Sequence, residues 1–150
     1  MKFHPPERLV TLAREVRARA YAPYSRFRVG AALEAETGEV FTGCNVENAS
    51  YGLTMCAEQA AVASAVARGR RRFRRLVVAV GGERAVAPCG RCRQLLAEFG
   101  TGLEVYGVTR TEQVRWLLPD LIPDPFAGDL LNPVPGGGGA AASPGDPDSQ

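Results

Sequence analysis

The sequence predicts an α/β fold: a three-layer α/β/α sandwich around a mixed sheet, with an N-terminal antiparallel hairpin and later parallel strands. Three observations carry this expectation. Two strand-like runs flank Thr37-Gly38, a dipeptide suited to a tight hairpin turn. Leu76-Val77-Val78-Ala79-Val80 is apolar without alternation, as in a strand covered on both faces. A strand–helix–strand succession follows, which calls for parallel pairing through a crossover helix.

Taken in order, Pro5-Pro6 suits the first turn of a helix. Leu9, Leu12, Ala13, Val16 and Ala20 then recur at helical spacing, with Arg8, Arg14, Arg17 and Arg19 mostly on the outer side. Pro23 disfavours helix for its predecessor, so this helix stops before Tyr21. Residues 27–34 and 39–46 form the hairpin, and Gly30 marks a bulge or a close backbone approach. Residues 55–68 read as an alanine-rich, buried helix ended by Gly69. Residues 74–80 are the apolar strand, and Gly81-Gly82 breaks it. Residues 89–99 read as a second short helix stopped by Gly100, and residues 103–108 as a strand. Residues 111–118 read as a short helix with Thr111 as its cap and Pro119 closing it.

With 150 residues, one domain is expected, over residues 1–132. Residues 133–150 are mostly Pro, Gly, Ala, Ser and Asp and cannot bury enough apolar surface to offset ordering, so they read as a disordered tail. A net charge of +2 calls for neither nucleic acid nor a membrane surface. No apolar run approaches the ~18 residues of a membrane helix, and Lys2 leads into His4-Pro5-Pro6 instead of a signal-peptide core. A cytoplasmic location is therefore expected. Four cysteines in a reducing compartment favour metal binding or catalysis over disulfides.

The chemistry concentrates in two stretches. Cys56 and Glu58 stand at the start of one expected helix, and Cys89 and Cys92 form a Cys-x-x-Cys pair at the start of another. Thiolates at helix starts gain from unpaired backbone N–H groups and the helix dipole. If the two helix starts converge, three thiolates hold a zinc ion with an open fourth position for water, and Glu58 leans over that position to move protons. A lone Cys-x-x-Cys leaves a redox pair or a structural zinc site open, and Cys56 alone would pass for a buried apolar cysteine. Cys44 could complete a closed four-thiolate site. Strand alternation sends it elsewhere with Val46, and a closed site would leave Glu58 without a purpose. His4 is the sole histidine and is expected in solvent, so Ser–His or Cys–His chemistry has little support.

Cys56-Ala57-Glu58 with Pro88-Cys89-Gly90-Arg91-Cys92 resembles the cysteine form of the zinc nucleoside-deaminase signature. Tyr21-Ala22-Pro23-Tyr24-Ser25, Phe27, Val29-Gly30-Ala31-Ala32, Gly43 to Gly52 and Leu117-Leu118-Pro119 extend the resemblance to short, homotetrameric cytidine deaminases, over about residues 8–130. The resemblance implies one Zn²⁺ per subunit on Cys56, Cys89 and Cys92, with Glu58 as catalytic acid and base. It implies a free nucleoside substrate, cytidine or 2′-deoxycytidine, deaminated in pyrimidine salvage. Asn45 and Glu47 would hold the ribose 3′-hydroxyl, Phe27 would pack on the pyrimidine, and Ala57 joins the substrate-binding set. Phe126 would close over the base, often from a neighbouring subunit. Tyr51 and the loop 21–25 would lie at subunit contacts near the site, in a homotetramer with no nucleic-acid or membrane partner.

Three departures from the family pattern stand out. Gln59 occupies a position where many cysteine-type relatives carry arginine, so helix dipoles and Arg91 are expected to offset the charge of zinc and three thiolates. The stretch 107–115 is short, implying a reduced or missing fifth strand. Leu121-Ile122-Pro123-Asp124-Pro125 precedes Phe126 where relatives run more directly. Competing functions are a blasticidin-type deaminase, which resembles Cys89 to Gln94 here but lacks a use for Glu47, and a nucleic-acid deaminase resting on the basic run 68–75, which has no interleaved aromatic platform. A non-catalytic zinc protein is the fourth reading.

Overall fold

Alternation and turn chemistry build a five-stranded sheet in the computed structural model, which describes residues 4–128 and residue 131. The domain limit at residue 132 and the tail 133–150 lie outside the described residues. Chain order is α1 (Glu7–Arg17), β1 (Val29–Ala35), β2 (Val40–Cys44), α2 (Ala57–Ala67), β3 (Phe73–Val80), α3 (Gly90–Ala97), β4 (Glu104–Val108), β5 (Gln113–Leu117) and α4 (Leu118–Leu121), with a single 3-10 turn at Tyr51–Leu53. The strands lie in the order β2-β1-β3-β4-β5. Only β3 and β4 pair in parallel, with α3 as their crossover; the other three pairings are antiparallel.

The continuous apolar run in β3 is explained by what covers it. Leu76, Val78 and Val80 face a core built with Ala57, Ala61, Val62 and Ala65 of α2, Leu96 of α3 and Leu118 of α4. Val77 and Ala79 face the opposite side, against Leu9, Val10 and Ala13 of α1. Each of these valines and leucines contributes about 1.5–3 kcal/mol by leaving water. The sandwich thus has α1 on one face and α2, α3 and α4 on the other.

Two glycines bring the helices that close. A Cβ on Gly30 would lie 2.0 Å from the Ala13 carbonyl oxygen, and one on Gly43 would lie 2.4 Å from that of Ala57. Gly30 is therefore a close approach to α1, while the register shift of β1 falls at Glu34/Ala35. Gly43 seats the first turn of α2, the turn that carries Glu58.

The C-terminal part corrects two expectations. Residues 111–118 do not form a helix, and the fifth strand is neither missing nor shorter than β4: β5 pairs with all five residues of β4. Val114 and Trp116 alternate with Gln113, Arg115 and Leu117, and Trp116 packs on the main core. The local threonine signal belongs to Thr109, whose Oγ1 accepts the backbone N–H groups of Thr111 and Glu112 at 3.2 and 2.9 Å. That arrangement turns the chain back on β4 instead of starting a helix. The helix begins at Leu118, with Pro119 inside its first turn and not at its end.

Candidate metal centre and active site

The sheet order explains why two distant segments meet. β2 and β3 flank β1, and both run antiparallel to it, so they point the same way. The helices that follow them therefore start at one edge of the sheet. Cys56 is the N-cap of α2 and Cys89 the N-cap of α3, while Cys92 lies in the first turn of α3. Such sites beyond the carboxyl ends of strands are the usual ligand positions of open α/β sheets.

The three sulfurs of Cys56, Cys89 and Cys92 lie within 4.8 Å of one another, and those of Cys56 and Cys89 are 3.9 Å apart. Thiolates on a tetrahedral zinc at a Zn–S distance of about 2.3 Å stand about 3.8 Å apart, so the triangle fits that ion. Cys44 is not in the cluster, so a four-thiolate site is not formed. Cys92 is fully buried, Cys56 partly so, and Cys89 is exposed, which opens the triangle toward solvent on one side. Hydrogen bonding from Cys92 lowers the Cys56 thiol to about 6, with further help from Cys89 and from the Arg91 guanidinium. Cys92 moves upward, because it faces the Cys56 thiol and is buried beside Glu58.

Glu58 follows Cys56 by two residues in the first turn of α2 and is only 5% exposed. Burial pushes its carboxyl above the usual carboxylate range, and the Cys56 charge adds to this; its own backbone and the Cys92 thiol pull the other way. A carboxyl raised in this way holds a proton more readily than one in solvent, which suits acid–base work. Ala57, between ligand and acid, has its side chain fully buried in the core under the site.

The polar loop before Cys56 is folded by its own side chains. Asn45 is buried; its Oδ1 accepts the Val29 N–H at 2.8 Å and its Nδ2 donates to the Phe27 carbonyl at 2.8 Å. Glu47 is buried too, and its carboxylate accepts the Tyr24 N–H at 2.9 Å, the Ser25 N–H at 3.1 Å and the Ser25 hydroxyl at 2.5 Å. The Ser25 hydroxyl bond, above all, holds the Glu47 carboxyl below the usual range. Phe27 is exposed, its direction set by Arg26 at φ 57° and by its N–H bonding to Ser25 Oγ. Tyr51 is exposed and meets Tyr24 edge-on with ring centres 5.8 Å apart. Tyr24, Ser25, Glu47, Tyr51 and Thr54 line a cavity of about 290 Å³, and Thr54 stands two residues before Cys56. A larger cavity of about 430 Å³ lies against Glu36, Arg72 to Arg75 and Phe99, with no thiol in its lining.

Phe126 is exposed, and Gln94 holds its backbone: Nε2 donates to the Phe126 carbonyl at 2.8 Å and Oε1 accepts its N–H at 3.0 Å. His4 bonds Gln113 and takes no part in the site. In the basic run 68–75, Arg70, Arg72 and Arg75 pair with Glu39, Glu36 and Glu34 of the hairpin. Three contacts that build the site have no counterpart among the sequence expectations. Ser25 as the Glu47 partner depends on a long-range contact. The pairing of Gln94 with Phe126 spans 32 residues and has no local signal. The capping role of Gln59, three residues after Cys56, follows the capping-box spacing, which is a local signal.

The sequence model described as the cytidine and deoxycytidylate deaminase zinc-binding region matches residues 4–108, which hold all three thiols and Glu58. The chain belongs to this family. It is a deaminase with zinc as its cofactor, and its thiol triangle has the dimensions that ion requires. It is 48% identical over 119 residues to a cytidine deaminase of Mycobacterium tuberculosis, covering 79% of this chain and 87% of that protein. A cytidine deaminase of Halalkalibacterium halodurans is 42% identical over 126 residues, 83% of this chain and 96% of its own length. The 1.6 Å crystal structure of cytidine deaminase from Burkholderia pseudomallei superposes with a TM-score of 0.77 at 45% identity, over 82% of this chain and all of that one. A blasticidin-S deaminase of Bacillus cereus is more distant, 31% identical over 107 residues, 66% of this chain and 76% of its own.

Proposed function

We propose that the protein hydrolytically deaminates free cytidine and 2′-deoxycytidine to uridine and 2′-deoxyuridine, releasing ammonia. The observation that carries this reading is a solvent-facing triangle of three sulfurs with a buried carboxyl, Glu58, in the first turn of the helix that Cys56 caps. Cys56, Cys89 and Cys92 would hold zinc, which when bound supplies Lewis acidity that acidifies water. Glu58 takes the proton of the attacking water and delivers it to ring N3. The water oxygen joins C4, Glu58 carries the remaining proton of the C4 hydroxyl to the amino group, and the C4–N bond breaks to leave a C4 carbonyl and ammonia.

Glu47 lines the cavity with Tyr24, Ser25, Tyr51 and Thr54 and keeps a carboxylate there, ready to accept from a ribose 3′-hydroxyl, while Asn45 fixes the Phe27–Val29 backbone. Phe27, supported at its N–H by Ser25, would face the pyrimidine, with Ala57 beneath the base. Seven of the ten exposed large apolar side chains among the described residues fall within 21–27 and 46–55, beside the site. A surface of that kind supports a homotetramer in which neighbouring copies cover Tyr51 and the loop 21–25, and Phe126 reaches an adjacent site. Pyrimidine salvage in the cytoplasm is the setting this reading implies; no helix among the described residues is long and apolar enough to cross a membrane.

The test compares zinc-loaded protein on cytidine, blasticidin S and a cytosine-containing single-stranded DNA. Turnover on cytidine with little on the other two supports the reading. Preference for blasticidin S or DNA overturns it in favour of that substrate.

A further inference from the structure

The two halves of the thiol triangle come from helix starts 33 residues apart, and something must fix their separation. Apart from the thiols and Glu58, the described hydrogen bonds that join residues 54–59 to residues 89–92 all come from Arg91. One guanidinium nitrogen, Nη2, donates to the Thr54 carbonyl at 2.6 Å and to Gln59 Oε1 at 2.8 Å. The same Gln59 oxygen accepts the backbone N–H of Cys56 at 2.8 Å. Arg91 and Glu58 occupy equivalent places, each the second residue of its helix and each two residues after an N-cap cysteine. The chain Thr54–Arg91–Gln59–Cys56 therefore ties the N-cap of α2 to the first turn of α3.

We infer that Arg91 and Gln59 form one clasp that holds Cys56 in register with Cys89 and Cys92, making both positioning residues for the metal. The inference goes beyond charge compensation. A guanidinium that acted only through its charge would not need the amide of Gln59, whereas a clasp fails when either partner is lost. Groups that orient metal ligands from behind are worth 10–100-fold in metal affinity. The inference rests on the zinc reading of the three thiols.

The test measures zinc dissociation by competition with a chromogenic chelator for wild type, Arg91→Met, Gln59→Leu and the double variant. Wild type must bind zinc for the site reading itself to stand. Arg91→Met is expected to weaken binding about 10–100-fold. The double variant is expected to fall no more than about twofold beyond Arg91→Met, because members of one network are not additive. Cobalt(II) loading gives the second readout: the thiolate-to-cobalt charge-transfer bands should shift in Arg91→Met and in Gln59→Leu while both keep the wild-type fold by circular dichroism. If Arg91→Met does not fold, Gln59→Leu alone carries the test, and it must both weaken zinc and move the cobalt bands. Wild-type zinc affinity in Arg91→Met, a double variant whose loss is the product of the single losses, or unshifted cobalt bands in a folded Gln59→Leu overturns the clasp and leaves the zinc site intact.

Discussion

Replacing Glu58 by glutamine separates catalysis from metal binding more cleanly than any other change in this molecule. The two side chains are nearly isosteric, and Glu58 is not one of the three sulfurs, so zinc content should stay at one per chain. The side chain is 5% exposed, so water has little room to stand in for the missing carboxylate. General acid–base catalysis by one positioned group contributes about 10²–10⁴-fold. In the proposed reaction a single carboxyl serves both the attack and the departure, which places the expected loss in kcat near 10⁴-fold, or about 5.4 kcal/mol at 1.36 kcal/mol per decade. Stability should move the other way at high pH. Burial raises the Glu58 pKa above its ordinary 4.5, so the folded chain binds this proton more tightly than the unfolded chain. Its contribution to stability is then greatest below the ordinary value and declines as pH rises through the window up to the raised one. Glu58→Gln should flatten that decline in zinc-free protein. The assays are metal content by atomic absorption, cytidine turnover, and thermal unfolding across pH. A zinc-loaded Glu58→Gln enzyme retaining more than a tenth of wild-type kcat would refute the proton-transfer role.

Three further outcomes are expected. Cys92→Ala removes the buried sulfur of the triangle and should abolish stoichiometric zinc and turnover together, as read by metal analysis and activity on the same sample. Gly43→Ala forces a methyl to within 2.4 Å of the Ala57 carbonyl, so unfolding in denaturant should show a loss of about 1–3 kcal/mol, and the displaced turn carrying Glu58 should lower kcat as well. Ser25→Ala removes the strongest contributor to the lowered Glu47 pKa; KM for cytidine should rise more than kcat falls. The stability Glu47 contributes is present above its ordinary pKa of 4.5 and is lost as pH falls through the lowered folded value, and Ser25→Ala should move that acid loss to higher pH.

Local rules made most of the elements legible. Thr37-Gly38 turns the hairpin, Gly69 at φ 74° and Gly100 at φ 115° stand just beyond α2 and α3, and the Leu76–Val80 run is covered on both faces as its composition demands. The error at residues 111–118 has a physical source. Five residues are too few to show a period, and the deciding interactions are distant: β4 on one side and the core contact of Trp116. The site was legible in residue types, because Cys56, Glu58, Cys89 and Cys92 carry chemistry few other arrangements need. Their meeting was not legible from spacing, since it depends on β2 and β3 lying on either side of β1 and pointing the same way. The resemblance to a known family supplied that convergence in advance. The same limit hid the partners of Arg91, since Thr54 and Gln59 lie 37 and 32 residues away.

Deamination of cytidine by the zinc-loaded wild-type chain is the most direct test of the central claim. Ultraviolet absorbance and released ammonia should report uridine and ammonia formed one to one, over many turnovers, with activity lost on chelation and regained on adding zinc. A folded protein holding one zinc per chain that leaves cytidine and 2′-deoxycytidine unchanged would contradict the account.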